Sequence, residues 1–208
     1  LSLSLSLSLS HTHTHTLTLS YFRPKVIYNN RTAEYVLWIN RLPPASSPLS
    51  AYPDAQYLVF KATHPLGPFT LVSNATTGTQ IGVAGGGDFT LFQDTDGQGY
   101  VAYDAWKNSH TVTVERLTND YYESTLNSSG PISPSSHEAP MMFKRGPFIY
   151  LLFGHTCCFC DGGAGSQVWV ARSPLGPWNN TGVDINAKSW FGGDHTIKAQ
   201  VCVCVCVC

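Results

Sequence analysis

One carboxylate, Glu138, stands at the rim of a hairpin that is otherwise apolar. Residues 136–160 read as two strands around a tight turn, with strands at 141–143 and 148–153 and the turn at 144–147. The second strand is apolar throughout, so both its faces are expected to be buried. The stiff Ala139-Pro140 step follows the carboxylate and fixes the chain there. A carboxyl in such a place either ends a strand in solvent or is a positioned acid that can give or take a proton. A second carboxyl, Asp88, closes the run Gly85-Gly86-Gly87, whose glycines would let the backbone approach a channel closely.

Other chemical signals are weaker. His155-Thr156-Cys157-Cys158-Phe159-Cys160 holds soft ligands, but its spacing is not the Cys-x-x-Cys fork of a zinc site, so buried thiols or one disulfide are expected. Asp94-Thr95-Asp96-Gly97 begins like a calcium loop yet lacks a third acidic ligand and the glutamate at position twelve; it reads as an Asp-Gly turn. The triple glycine lacks the spacing of a phosphate loop, and Gly163-Ala164-Gly165-Ser166 is not a nucleophile elbow. No metal or cofactor is expected.

The two ends are set aside. Residues 1–20 alternate Leu-Ser, His-Thr and Leu-Thr, and residues 201–208 alternate Val-Cys. A two-nucleotide repeat read in triplets gives such dipeptides, so both ends resemble translated microsatellite flanking a partial gene. They are excluded from fold reasoning, including the tag-like His11, His13 and His15. Residues 21–200 then form the one domain. Four of the seven cysteines fall in the terminal repeat, leaving Cys157, Cys158 and Cys160. A net charge of −1 argues against a nucleic-acid partner, and no run of about 20 apolar residues is present to span a membrane. Sequons at Asn30, Asn74, Asn127 and Asn179 point to a secreted, extracellular protein.

From Tyr21 onward the pattern is short strands and turns, with no sustained helical period. Strands are expected at 23–28, 35–39, 57–62, 85–92, 100–103, 141–143, 148–153 and 168–171, with a Pro/Ser loop over 41–54. Pro-Leu-Gly-Pro-aromatic occurs at 65–69 and again at 174–178, and Leu117-Thr118-Asn119-Asp120-Tyr121 stands halfway between. The repeat unit is therefore about 55 residues of roughly four strands, the size of a propeller blade. Aligning the inner hairpins puts Phe22, Asp88, Glu138 and Gln200 just before each unit's first strand, so their side chains would converge on one mouth of a central channel.

Five motifs in this order resemble glycoside hydrolase family 43, most closely its branch of exo-acting galactan 1,3-β-galactosidases. They are 23–29 (Arg-Pro-Lys-Val-Ile-Tyr-Asn), Asp88 with 94–97, 117–121, Glu138-Ala139-Pro140, and 174–178. The resemblance covers about residues 21–200 and implies an all-β, five-bladed propeller, of which this chain holds about three to four blades. It further implies inverting hydrolysis of β-1,3-galactan or a related plant or algal polysaccharide. Glu138 would be the general acid, Asp88 the residue that orients and tunes it, and Gln200 the group placing the water. Inversion requires such an acid and an opposed acceptor, with room for water between. Trp106, Tyr103, Trp38 and Trp190 are candidates to stack on sugar faces, with core packing the alternative for each tryptophan. Phe22 departs from the branch, which has a glutamate there; a non-catalytic carbohydrate-binding propeller is the alternative function. The complete protein is expected to be a monomer acting on oligo- or polysaccharide. A ring cut at three and a fraction blades is expected neither to fold stably nor to act alone.

Overall fold

The strand β6 (Gly99–Ala105) is buried at every residue, which requires packing on both faces, and the rest of the fold is built around that demand. A computed structural model describes residues 20–42, 54–72, 79, 81–82, 85–156 and 164–185. Both terminal repeats apart from Ser20, with Cys157, Cys158, Cys160, the Asn74 sequon, Trp190 and Gln200, lie outside those residues. The described chain forms three four-stranded antiparallel sheets, each a simple meander. The first holds β1 (Ser20–Asn29), β2 (Glu34–Leu42), β3 (Gln56–Ala62) and the short β4 (Thr70–Leu71). The second holds β5 (Gly86–Gln93), β6, β7 (Thr111–Leu117) and β8 (Ser124–Pro131). The third holds β9 (His137–Arg145), β10 (Phe148–His155), β11 (Gln167–Ala171) and β12 (Asn179–Asp184). Among the described residues there is no α-helix, only a 3-10 turn at Trp106–Asn108.

The second sheet is the filling of a stack. One of its faces, carrying Phe89, Val101, Tyr103 and Ala105, packs on Val36, Trp38, Tyr57 and Val59 of the first sheet. Its other face, with Phe92, Tyr100, Ala102, Val112 and Val114, meets Met142, Ile149, Leu151 and Phe153 of the third. Strand periodicity alone produces this division, since alternate residues of β6 point to opposite sheets. Trp38 is fully buried, and its indole N–H donates to Tyr121 O (2.9 Å), stitching β2 to the β7–β8 turn. Emptying such a site typically costs about 3–5 kcal/mol.

The internal repeat is visible in the turns. Residues 65–69 join β3 to β4, 174–178 join β11 to β12, and 117–121 lead from β7 towards β8, all third-to-fourth connections. Gly67 (φ +83°) and Gly176 (φ +93°) take the same left-handed conformation, and a β-carbon on either would strike the next aromatic residue, Phe69 or Trp178. The Asp94–Gly97 stretch is a turn, closed by Gly97 N–H to Asp94 O (2.9 Å). The β9–β10 hairpin differs from expectation: its loop is only Gly146-Pro147, because Gly146 at φ +58° permits a two-residue turn.

Candidate active site

The innermost strand of every sheet carries one extra residue at the same level. In β1 the pairing passes from Phe22↔Asn40 to Lys25↔Trp38, in β5 from Gly86↔Ala105 to Phe89↔Tyr103, and in β9 from Glu138↔Gly154 to Met141↔Leu152. Each is a bulge, in which two residues oppose one and the ladder turns aside. The bulged pairs are Arg23-Pro24, Gly87-Asp88 and Ala139-Pro140. By this register Phe22 and Glu138 are equivalent, whereas Asp88 stands two residues further along its strand. That corrects the alignment read from spacing alone, because the hairpin lengths differ between units.

The backbone here is held in sparsely populated conformations. Of the eight non-glycine residues with positive φ among those described, five border the site: Arg23, Ser109, His110, Ser136 and Ala139. Strain of this kind persists only where surrounding structure over-determines it, and it collects at functional sites. The determinants are on neighbouring sheets. Asn40 Nδ2 donates to Gly86 O (3.1 Å) and Gly87 O (2.9 Å), and Tyr57 Oη donates to Gly87 O (2.9 Å). His137 N–H donates to His110 O (2.8 Å) and Ser136 N–H to Ser109 O (2.9 Å). Gly87 has no substitute here: a β-carbon would lie 2.6 Å from Asp104 Oδ2.

Three buried carboxyls meet at these bulges: Asp88 (7% exposed), Asp104 (1%) and Glu138 (6%). Two basic groups face them. The Arg23 guanidinium Nε contacts Asp88 Oδ1 directly, and His110 Nδ1 donates to Asp104 Oδ2 (2.9 Å). Burial pushes the Asp88 carboxyl up to about 7; Arg23 opposes this, while the nearby Glu138 and Asp104 add to it. Burial also raises Asp104 against the pull of His110 and Arg23. His110 is raised chiefly by its hydrogen bond to Asp104, with Glu138 and Asp88 adding. Asp104, His110 and Glu138 place one donor atom each within 4.8 Å of one another, a separation that alone would admit a cation. Because Asp104 and His110 already bond to each other, we assign the trio to an ion pair beside a carboxyl rather than to a metal centre. Beyond Arg23 a cavity of about 870 Å³ runs between β1, β5 and β9, lined by Pro24, Tyr28, Leu91, Gln93, Met141 and Lys144 among others.

The structure thus brings Glu138 and Asp88 together. It separates two of the aromatic candidates from any sugar. Trp38 and Tyr103 have no exposed surface; Trp38 is core, and the Tyr103 hydroxyl is committed to the buried Glu115 carboxylate. Their aromatic character serves sheet-to-sheet packing, which corrects the expectation that they bind substrate. Trp106 is half-buried, with its ring edge-on to His110 at 4.0 Å. Phe22 packs against Leu42 and Ala55, with the Arg23 guanidinium above its ring. Arg23, Asp104 and His110 are the members of the candidate site that sequence reasoning missed. Arg23 was inside a recognised motif, whereas Asp104 and His110 carried no signal apart from being polar beside an aromatic run.

The stacked meanders have counterparts among solved structures. A family 43 β-1,3-galactosidase matches with a TM-score of 0.65 and 27% identity over 78% of this chain and 32% of its own. The exo-β-1,3-galactanase of Clostridium thermocellum matches at 0.63 and 25%, over 78% of this chain and 35% of that one. The exo-β-1,3-galactanase of Phanerochaete chrysosporium, solved with galactose, matches at 0.62 and 25%, over 80% and 35%. The chain spans about a third of the length of these three. No curated protein matches it. Residues 46–197 match the model described as glycosyl hydrolases family 43, and the chain belongs to that family.

Proposed function

We propose that the protein hydrolyses O-glycosidic bonds with inversion, releasing galactose from the end of β-1,3-galactan, with Glu138 as the general acid. The observation that carries this reading is the pairing of two buried carboxyls, Asp88 and Glu138, close enough for each to disfavour the other's charge. Mutual repulsion makes such a pair share a proton, and a carboxyl that keeps its proton near neutral pH is what a leaving glycosidic oxygen requires. Arg23 contacts Asp88 on one side, and the proton the pair shares is read as the one Glu138 delivers to the leaving oxygen. The three sheets are read as consecutive blades of a five-bladed propeller, and Gln200, outside the described residues, as the group placing the attacking water. The galactan preference rests on the likeness to galactanases at 25% identity. The exposed Asn30, Asn127 and Asn179 suit glycan acceptors on a secreted protein.

The test is hydrolysis of β-1,3-galactobiose by the complete parent protein, followed by NMR of the released anomer. Inverted galactose is expected, and Glu138→Gln should lower kcat by about 10²- to 10⁴-fold. The same variant should lose far less on 2,4-dinitrophenyl β-galactoside, whose leaving group needs no proton. Equal losses on both substrates, or galactobiose bound but never cleaved by the wild type, would refute the acid and favour a sugar-binding protein.

A further inference from the structure

We propose that Asp104 and His110 form a positioning pair that returns a proton to Glu138 after each turnover, a role resting on the glycosidase reading above. The His110 side chain is 23% exposed while that of Asp104 is 2% exposed and Glu138 is buried, so the imidazole spans the gap between solvent and a carboxyl without easy access to it. Its Nδ1–H is committed to Asp104 Oδ2 at 2.9 Å, which fixes the tautomer and leaves Nε2 to exchange protons. Donor atoms of Asp104, His110 and Glu138 lie within 4.8 Å of one another, a gap that one water or a small side-chain rotation closes. Among the described residues, Asp104 Oδ1 is buried with no hydrogen-bond partner.

Three features hold the ring in place. Trp106 lies edge-on to it at 4.0 Å. Ser109 and His110 both adopt positive φ (+57° and +56°), which turns the side chain at the start of β7. His110 O accepts from the amide of His137, the residue before Glu138, so the imidazole and the acid are tied through one backbone hydrogen bond. The charged groups facing His110 are Asp104 on β6, Asp88 on β5 and Glu138 on β9, all of which favour its protonated form. Arg23 on β1 acts on the first two carboxyls and favours their ionised form.

The balance closes. During cleavage the bond between anomeric carbon and glycosidic oxygen breaks, the oxygen keeps the electron pair and takes the Glu138 proton, and water adds to the carbon. Glu138 is left as a carboxylate. The His110 imidazolium then gives its Nε2 proton to that carboxylate, and the neutral imidazole takes one from solvent, replacing the proton shed by the attacking water.

The experiment uses β-1,3-galactobiose as substrate and the variants His110→Ala and Asp104→Asn. His110→Ala should lower kcat by about 10²-fold, the lower end for groups that move protons, with KM nearly constant. Added imidazole should restore kcat saturably, with a dependence on imidazole pKa that a merely structural residue would not show. Nitrogen NMR of His110 should show titration above its ordinary value in the wild type, and a lower value in both Asp104→Asn and Glu138→Gln. An unchanged kcat, no rescue by imidazole, or a His110 titration indifferent to Asp104 and Glu138 overturns the relay while leaving the glycosidase reading intact. A wild type that cleaves neither galactobiose nor the dinitrophenyl substrate overturns both. If His110→Ala fails to fold, the Asp104→Asn kinetics and the wild-type titration decide the matter.

Discussion

Asp88→Asn should stabilise the protein at alkaline pH while removing its activity, and the size of the effect follows from the site. Asp88 is 7% exposed, and burial raises its carboxyl from 3.8 to about 7 despite the Arg23 contact. The folded state therefore holds this proton more tightly than the unfolded chain does. Below 3.8 both states are protonated and the native preference is fully present; as pH rises through about 7 that preference is lost. Asparagine keeps the shape and removes the charge, so the variant behaves as a permanently neutral Asp88. The difference between variant and wild type should be near constant below pH 4. It should then grow by about 1.36 kcal/mol per pH unit and level off above pH 7 at about 4 kcal/mol.

Urea unfolding of both proteins at pH 4 to 8 measures this directly. With a slope of about 2 kcal/mol per molar urea, the midpoint of the variant should lead by about 2 M more at pH 8 than at pH 4. The Arg23 ion pair belongs only to the ionised carboxyl, and its effect is already contained in the net rise to about 7. The other titrating groups are present in both proteins and largely cancel, His110 least so because it senses Asp88. A difference that stays flat from pH 4 to 8, or that favours the wild type more as pH rises, would refute the argument that burial outweighs the guanidinium.

Two further changes probe how the sheets are held. Glu115 is fully buried and accepts from Gly82 N–H (2.9 and 3.1 Å), the Tyr103 hydroxyl and the Ser124 hydroxyl, so Glu115→Ala strands three donors and should cost about 3–5 kcal/mol in urea unfolding at pH 7. Gly99→Ala would bring a β-carbon to 2.6 Å from the ring of fully buried Tyr121, whose hydroxyl is fixed to Gly97 O and Gln93; a loss of about 1–3 kcal/mol is expected, and a neutral result would show that the ring can yield.

The strands, the turns and the two principal carboxyls were legible because they depend on local chemistry. Alternation marks a strand, Asp94 to Gly97 marks a turn, and Pro-Leu-Gly-Pro-aromatic repeats wherever a third strand must reach a fourth. What escaped is whatever depends on which face a residue takes. Trp38 and Trp106 look alike in sequence, yet one is core and the other lies against His110. Asp104 is concealed within the buried run of β6, and its partner His110 comes from beyond the 3-10 turn. The bulges escaped for a simpler reason. One extra residue breaks a period of two without changing composition, so it is invisible until the partner strand is known.

Those bulges also explain why the site and the fold cannot be separated. Glu138 and Met141 are three residues apart and in a regular strand would face opposite ways. Because their partners Gly154 and Leu152 are two apart, the bulge returns them to one side of the sheet. The same shift links Phe22 to Lys25 and Gly86 to Phe89. Five left-handed non-glycine residues accompany the arrangement, and at roughly 1–2 kcal/mol each they cost about as much as the whole net stability of an ordinary domain. No single sheet can offset that. The bonds that fix the strained segments cross between sheets, from Asn40 and Tyr57 to Gly87 and from His110 to His137. They hold only while the apolar layers on both faces of β6 keep the three sheets in register. The buried aromatic residues therefore serve the site indirectly: they maintain the register that puts three carboxyls and two basic groups in one place.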